Sequence, residues 1–300
     1  MSVNSISMRG DTLGEEKNSV TLSKDMLYGI VIAVLAGLLI LSIFTSGFGI
    51  VKPATTYVPP SGTQPTGNQS GTQPVNNTQP AQAVLPALTV SSGKLPALGQ
   101  ASAPVTLVVV SDYQCPYCSR LYTGAESSVK ANYIQSGKVK MYFKDFPLSF
   151  HQFAMSAAIA ARCANDQGKF WEMHDTLFQN QATWSAASDV GPLFTSYANA
   201  LGMDNSTFTA CFNGKQHTAE INADEAEAQG YGVQGTPGSF IIVPKSKITL
   251  KAITAAVDAQ NAQYGAGALT LYEDSTSYTV LIPGAFPYEA FNGILSQVSY

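Results

Sequence analysis

The sequence predicts one α/β domain that is interrupted by helices and preceded by two segments of different composition. The run Leu107-Val108-Val109-Val110 is apolar and β-branched, as in a strand buried on both faces. A stretch with apolar residues at helical spacing then extends to Gly137, and residues 138–144 alternate in polarity as a second strand does. The motif Cys115-Pro116-Tyr117-Cys118 lies between the first strand and this helix.

Composition excludes two classes of protein. The 300 residues carry a net charge of -4 with no long Lys/Arg run, so we expect no nucleic-acid partner. The four cysteines are too few for a small disulfide scaffold, and a single CxxC does not make a zinc ribbon.

Residues 27–51 contain no charged side chain and are apolar throughout, which predicts a transmembrane helix. A cleaved signal peptide and a buried core helix are the alternatives, but the polar segment ahead and the length of the apolar run disfavour a signal peptide. Residues 1–26 hold Arg9, Lys17 and Lys24, so the positive-inside rule predicts a cytoplasmic N-terminus. We therefore expect a single-pass protein of the cell membrane with its folded domain outside the cytoplasm.

Residues 52–93 are rich in Pro, Gln, Ser and Thr, and after Lys52 they contain no charge. Such a segment cannot bury enough apolar area to offset its ordering entropy, so it predicts a flexible linker. The folded domain is then expected over residues 94–300.

Further elements follow from periodicity. Helices are predicted at residues 151–164, 169–178, 193–201, 218–229, 251–264 and 288–298, and strands at 240–243 and 278–282. The helix at 218–229 is polar, and we expect it to be exposed.

The position of the CxxC motif at a helix start favours redox chemistry. A helix N-terminus stabilises the thiolate of Cys115, and Pro116 suits the first helical position because its missing N–H has no helical partner. Cys118 lies one turn later on the same face, where its sulfur can close a disulfide. We expect Cys115 to attack and Cys118 to resolve.

Metal ligation by the CxxC motif is the alternative to redox chemistry. It would need two more ligands, and the three histidines show no metal-binding spacing. Each histidine is therefore expected at the surface or packed against a helix, and we expect neither a metal nor a cofactor.

A second motif, Gly235-Thr236-Pro237, precedes the strand at 240–243. With the CxxC at the first strand-to-helix turn, the chain resembles the thioredoxin superfamily and, within it, the DsbA-like branch with a helical insertion, here at about residues 148–230. Phe146-Pro147-Leu148, residues 166–171 and residues 284–288 support the resemblance. It implies a thioredoxin fold.

The resemblance also implies roles for the second motif. Pro237 corresponds to a cis-proline beside the reactive disulfide, and the backbone of Thr236 to a site that pairs with substrate main chain. A trans-proline turn is the alternative.

The function implied is the introduction of disulfides into reduced or unfolded extracytoplasmic proteins. A quinone-linked membrane oxidase of the DsbB or VKOR type would reoxidise the pair. Two alternatives use the same motif: a disulfide reductase or isomerase, and a thioredoxin-fold chaperone or metal-binding module.

Three departures from the family pattern bear on the site. Tyr117 stands where many relatives have His, which predicts a weaker oxidant. The first strand has no acid, so proton transfer from Cys118 is expected to use water or Asp112. The segment at residues 245–277 is longer than the hairpin that is usual in the family, and it could line the substrate groove.

Cys163 and Cys211 both fall in the predicted insertion. A disulfide between them would close a loop of nearly fifty residues, worth about 4 kcal/mol in the chain-entropy model. A structural bridge is our first interpretation, favoured by an outward-facing location. Two buried free thiols and a second redox pair are the alternatives.

Overall fold

The computed structural model describes residues 85–300. In this part of the chain no helix combines the length and apolar character needed to cross a membrane. The predicted cytoplasmic segment (1–26), transmembrane helix (27–51) and most of the linker (52–84) lie outside the described residues.

A five-stranded sheet forms the centre of the domain. Its strands are β1 (Val105–Ser111), β2 (Val139–Asp145), β3 (Gly238–Pro244), β4 (Thr270–Glu273) and β5 (Ser277–Pro283). The order across the sheet is β2-β1-β3-β5-β4. Strands β1 and β2 are parallel, and the other three pairs are antiparallel. The parallel pair requires a crossover, which a helix supplies.

The crossover helix, α1, spans residues 116–134 and begins directly at the CxxC motif. It alternates α-helical turns with two π-helical segments, Tyr122–Glu126 and Lys130–Ile134. Gly137 follows at a φ of +72°, a left-handed conformation that glycine adopts without steric cost. The predicted β-α-β unit is therefore present, with its helix ending where the glycine predicts.

Six helices lie between β2 and β3 in the described chain. They are α2 (Ala154–Asn165), α3 (Phe170–Gln179), α4 (Gln181–Ser185), α5 (Gly191–Ala200), α6 (Asn205–Asn213) and α7 (Thr218–Gly230). They enclose their own apolar core, which includes the fully buried Trp184, Phe194 and Phe208. This is the predicted helical insertion, and α4 and α6 are additional to the predicted helices.

Two further helices, α8 (Leu250–Tyr264) and α9 (Tyr288–Leu295), pack with α1 on one face of the sheet. The face is built from alternate residues of β1, namely Val105, Leu107 and Val109. Val108 and Val110 point to the opposite face, against Phe240 and Ala228. Both faces of β1 are thus buried, which explains its continuous apolar run.

Residues 85–93, which the sequence places in the linker, already contact the domain. Leu88 donates its N–H to the carbonyl of Glu273 in β4 at 3.1 Å, and Leu88 and Val90 pack on the sheet. Further along, Leu98 exchanges two main-chain hydrogen bonds with Met141 in β2. Through these apolar residues the folded domain begins to make contacts before residue 94.

Candidate active site

The CxxC motif lies at the carboxyl end of β1 and the start of α1. Cys115 is the N-cap, with an extended backbone (φ -71°, ψ 125°), and Pro116 follows as the first helical residue. The Cys115 carbonyl accepts the N–H of Ser119 at 3.1 Å, which is the first hydrogen bond of the helix. The side chain of Cys115 therefore lies where unpaired N–H groups and the helix dipole favour an anion.

Each sulfur has one close main-chain neighbour outside the helix. Cys115 Sγ lies 3.6 Å from the carbonyl oxygen of Thr236, and the Thr236–Pro237 peptide bond is cis. Cys118 Sγ accepts the N–H of Asp112 at 3.5 Å. Both cysteines are free thiols, and they are only 3% and 1% exposed. The loop that precedes β3 thus lies directly against Cys115.

The two thiols differ in acidity. The pKa of Cys115 is lowered to about 6, chiefly by a hydrogen bond from the Cys118 thiol and also by the N–H groups of Cys118 and Tyr117, while burial opposes the shift. Burial raises the pKa of Cys118 well above its ordinary value, and the neighbouring Cys115 raises it further. At neutral pH the site therefore holds one thiolate, on Cys115, and one thiol.

Asp112 fixes the loop before the motif rather than facing a thiol with its carboxylate. Its Oδ1 accepts the N–H of Gln114 at 2.7 Å. Its Oδ2 accepts the N–H of Leu148 at 3.0 Å and lies 2.6 Å from Nδ1 of His151. The Asp112 side chain is fully buried by these contacts. Its direct contact with Cys118 is made by the main-chain N–H described above.

Two glutamines connect the same loop to the helical insertion. Gln181 of α4 donates its amide to the carbonyls of Tyr113 (2.7 Å) and Cys115 (3.0 Å). Gln114 accepts the N–H of Phe153 at 2.6 Å. Neither residue was a predicted site residue, because a lone glutamine outside a motif carries no sequence signal for such a contact.

A surface cavity of about 480 Å³ opens beside Pro237 and Tyr117. Its lining is mostly apolar or aromatic and comprises Tyr117, Arg120, Thr236, Pro237, Tyr264, Gly284, Ala285, Phe286 and Pro287. Tyr117 is 55% exposed, and the guanidinium of Arg120 lies 4.9 Å from its ring centroid. Tyr264 comes from the 245–277 segment, so that segment does border the cavity next to the CxxC motif.

The structure gathers seven of the nine predicted residues into one site: Asp112, Cys115, Pro116, Tyr117, Cys118, Thr236 and Pro237. The other two predicted residues lie apart from it: Cys163 in α2 and Cys211 in α6 are joined by a disulfide, with Cα atoms 5.8 Å apart. That bond links two helices of the insertion.

The three histidines occupy different environments. His151 contacts Asp112, as described above, and His174 is fully buried among aromatic rings. His217 lies near the Cys163–Cys211 disulfide, with a ring nitrogen within 4.8 Å of both sulfurs.

The family model described as thioredoxin matches residues 91–259, more than half of the chain. The chain belongs to the thioredoxin family. Its sheet, crossover helix and six-helix insertion form a thioredoxin-like α/β fold with a helical insertion, as the sequence predicted. A single-residue variant of α-DsbA1 from Wolbachia pipientis has a similar fold, with a TM-score of 0.52 and 20% identity over 70% of this chain and 96% of that one.

Curated relatives of this thioredoxin-family chain fall into two groups by name. A Na(+)/H(+) antiporter NhaA 1 from Salinispora arenicola is 34% identical over 48% of this chain, which spans about a fifth (21%) of the antiporter. A probable disulfide bond formation protein D from Bacillus cereus is 29% identical, covering 48% of this chain and 68% of that protein. A putative protein-disulfide oxidoreductase from Rickettsia prowazekii is 26% identical, covering 54% and 59%.

Proposed function

We propose that this chain is a thiol–disulfide oxidoreductase that introduces disulfides into reduced proteins outside the cytoplasm. The observation that carries the proposal is the opposite shift of the two thiol pKa values, to about 6 for Cys115 and upward for Cys118. A thiol that ionises easily is a good leaving group and a stable product, whereas its partner keeps its proton.

The reaction starts from the oxidised Cys115–Cys118 pair. A substrate thiolate attacks Cys115 Sγ, the disulfide breaks, and Cys118 departs with the bonding electrons and takes up a proton. The product is a mixed disulfide on Cys115. A second substrate thiolate then attacks the substrate sulfur of that bond and releases Cys115 as a thiolate. Two electrons have passed from the substrate to the pair, and the substrate has gained one disulfide.

The oxidising direction rests on the low pKa of Cys115. A stabilised thiolate favours the dithiol form of the protein, so the disulfide form gives up its bond to substrates more readily. Tyr117 supplies no cation at the position beside the thiolate, and we expect the protein to be a weaker oxidant than a homologue with His there. A reductase or isomerase with the same site is the second candidate, because a difference of about 30 mV in reduction potential changes the exchange equilibrium tenfold.

Substrate main chain is proposed to bind at Thr236, whose carbonyl lies next to Cys115 Sγ. The cavity beside Pro237, with Tyr117, Tyr264 and Phe286 in its lining, would take apolar side chains of an unfolded polypeptide. This supports reduced or unfolded proteins as the substrate class.

An extracytoplasmic location is supported by three observations. The Cys163–Cys211 disulfide suits an oxidising compartment. Residues 27–51 predict a membrane anchor with the positive charges on its N-terminal side. Two relatives are named for disulfide formation or protein-disulfide oxidoreduction. Reoxidation of the dithiol needs an electron acceptor, for which we propose a quinone-linked membrane oxidase of the DsbB or VKOR type.

The test is oxidative refolding of a reduced substrate protein by the full-length chain, together with its redox equilibrium against glutathione. We expect catalysed disulfide formation, its loss in Cys115→Ser, and a potential well above the thioredoxin value of about -270 mV. A potential near that value would support the reductase. Assistance to folding that survives in Cys115→Ser would support the chaperone instead.

A further inference from the structure

A second group of ligand-type side chains surrounds the Cys163–Cys211 disulfide, in the helical insertion. Cys163 lies near the end of α2, and Asp166 is the residue that follows the helix. Cys211 lies in α6, and His217 is the residue before α7. Three helix ends therefore bring two sulfurs, an imidazole and a carboxylate together.

The imidazole of His217 contacts Asp166 and lies close to the disulfide. His217 Nε2 lies 2.8 Å from Asp166 Oδ2, and this oxygen lies 3.6 Å from Cys211 Sγ. The two sulfurs and a ring nitrogen of His217 are all within 4.8 Å of one another. A tetrahedral zinc ion with Zn–S and Zn–N bonds of about 2.3 and 2.0 Å holds its ligand atoms about 3.5–3.8 Å apart, so side-chain movements of about 1 Å would bring these atoms onto one ion.

The imidazole is held in a fixed orientation from its other side. Nδ1 of His217 pairs with the carboxylate of Glu220, which also lies 3.8 Å from the guanidinium of Arg162. A carboxylate on the second ring nitrogen is the arrangement that orients histidine ligands in zinc sites. It leaves Nε2 directed at Asp166.

We propose that reduction of the Cys163–Cys211 disulfide converts this cluster into a Zn²⁺ site with Cys163, Cys211, His217 and Asp166 as ligands. Two thiolates, one imidazole and one carboxylate form a tetrahedral donor set of the kind that zinc accepts. The inference is independent of the proposed function of Cys115 and Cys118.

The reductant is an external dithiol. Its thiolate attacks one sulfur of the bridge and its second thiol resolves the mixed disulfide, so the dithiol is oxidised and Cys163 and Cys211 become two thiols. Zinc then binds both sulfurs and displaces their two protons to solvent. The sulfurs must separate to about 3.8 Å, which follows from tetrahedral Zn–S bonds of about 2.3 Å.

The ion can reach the cluster from solvent. Both cysteines are buried, but the side chains of His217 and Asp166 are 17% and 38% exposed. The metal would enter on this side and replace the covalent link between α2 and α6 with a coordinate one. The insertion would therefore keep its brace in both redox states.

The test uses the full-length protein with Cys115→Ser and Cys118→Ser, which removes the competing thiols. The remaining bridge is reduced with a phosphine, and two free thiols per chain are counted. Co²⁺ serves as the spectroscopic probe and Zn²⁺ as its competitor. We expect one Co²⁺ per chain with sulfur-to-cobalt charge-transfer absorbance, its displacement by one Zn²⁺, and no such band before reduction.

Matched variants identify the ligands. Glu220 only orients the histidine, so Glu220→Gln should weaken Co²⁺ binding by about 10–100-fold. His217→Ala removes a ligand and should weaken it by more. Asp166→Asn should shift the cobalt spectrum. Retention of a stable fold on reduction and a rise in Tm with Zn²⁺ are also expected.

Three results would overturn the proposal: absence of the cobalt band in folded reduced protein, unchanged affinity in both His217→Ala and Glu220→Gln, or reduction that occurs only on unfolding.

Discussion

The side-chain amide of Gln181 lies 3.0 Å from the carbonyl oxygen of Cys115, so a residue of the helical insertion holds the main chain of the first CxxC cysteine. The same amide also contacts the carbonyl of Tyr113 at 2.7 Å. The insertion is therefore part of the active-site architecture and not only an addition to the fold.

Replacement of Gln181 tests this link. Gln181→Ala removes the side-chain donor from the Tyr113 carbonyl and leaves the Cys115 carbonyl with only the N–H of Ser119, so we expect a loss of about 1–3 kcal/mol in the free energy of unfolding. Gln179→Ala is the matched control, since its amide contacts only the Tyr122 hydroxyl. Denaturant unfolding of both variants makes the comparison. Equal losses would mean that the Gln181 contact has no special weight.

Replacement of Cys118 tests the cause of the low Cys115 pKa. Because the Cys118 thiol donates the main stabilising hydrogen bond, Cys118→Ala should raise the pKa of Cys115 from about 6 towards the value of about 8.5 for a free cysteine. Cys118→Ser retains a hydroxyl donor and should keep it low. The measurement is the rate of Cys115 alkylation against pH, which rises as the thiolate forms. The same midpoint in both variants would contradict this explanation.

The low Cys115 pKa also makes the stability of the dithiol form depend on pH. An unfolded cysteine ionises near pH 8.5, whereas Cys115 in the folded protein ionises near 6. Between these values the unfolded chain binds more protons, so the free energy of unfolding of the reduced protein should fall as pH drops from about 8.5 to 6. Unfolding curves of reduced wild type and reduced Cys115→Ser, measured across this range, isolate the contribution. Parallel pH profiles would exclude it.

A buried ion pair joins β2 to the insertion. Lys144 is completely buried, and its Nζ contacts Asp224 at 3.2 Å and also Glu227. Asp224 pairs with Arg162 as well. Asp224→Ala removes one carboxylate partner from each of the two buried cations, while Lys144 keeps Glu227 and Arg162 keeps Asp145, and it should cost about 1–3 kcal/mol in unfolding free energy. Glu225→Ala, on the same helix but outside this cluster, should change it by less than about 0.5 kcal/mol.

Tyr117 offers a test of the reactive site from its exposed side. Tyr117→His places a titratable imidazole beside Cys115, and a cation there should lower the Cys115 pKa further and make the disulfide more oxidising. Tyr117→Phe, which keeps the ring without a charge, is the control. Redox equilibrium with glutathione measures both. A potential that moves equally in the two variants would show that packing rather than charge is responsible.

The sequence predicted the parts of the fold that depend on local pattern. The apolar run around Val109, the helix after Cys118 and Gly137 as its end all correspond to the structure, because each is fixed by periodicity or backbone preference. Strand β4 was missed because four residues, Thr270–Glu273, are too short for a visible alternation.

Long-range contacts explain the remaining differences. Helix α7 was expected to be exposed, and this is wrong for one face: Asp224 is buried there against Lys144 and Arg162. A charged residue looks solvent-facing in a sequence when its partner is distant in the chain. The contacts of Gln181 and His151 with the CxxC loop likewise join residues that no local motif connects.

The segment at residues 85–98 has a consequence for how copies of this domain meet one another. Ala87 bridges to Glu273 in β4 and Leu98 to Met141 in β2, and these are the two outer strands of the sheet. An outer strand with unpaired N–H and C=O groups is a template on which another chain can add a strand. By pairing with part of both outer strands, residues 85–98 reduce the edge that is open to intermolecular strand addition. Such protection would suit the proposed function, in which the protein meets unfolded chains.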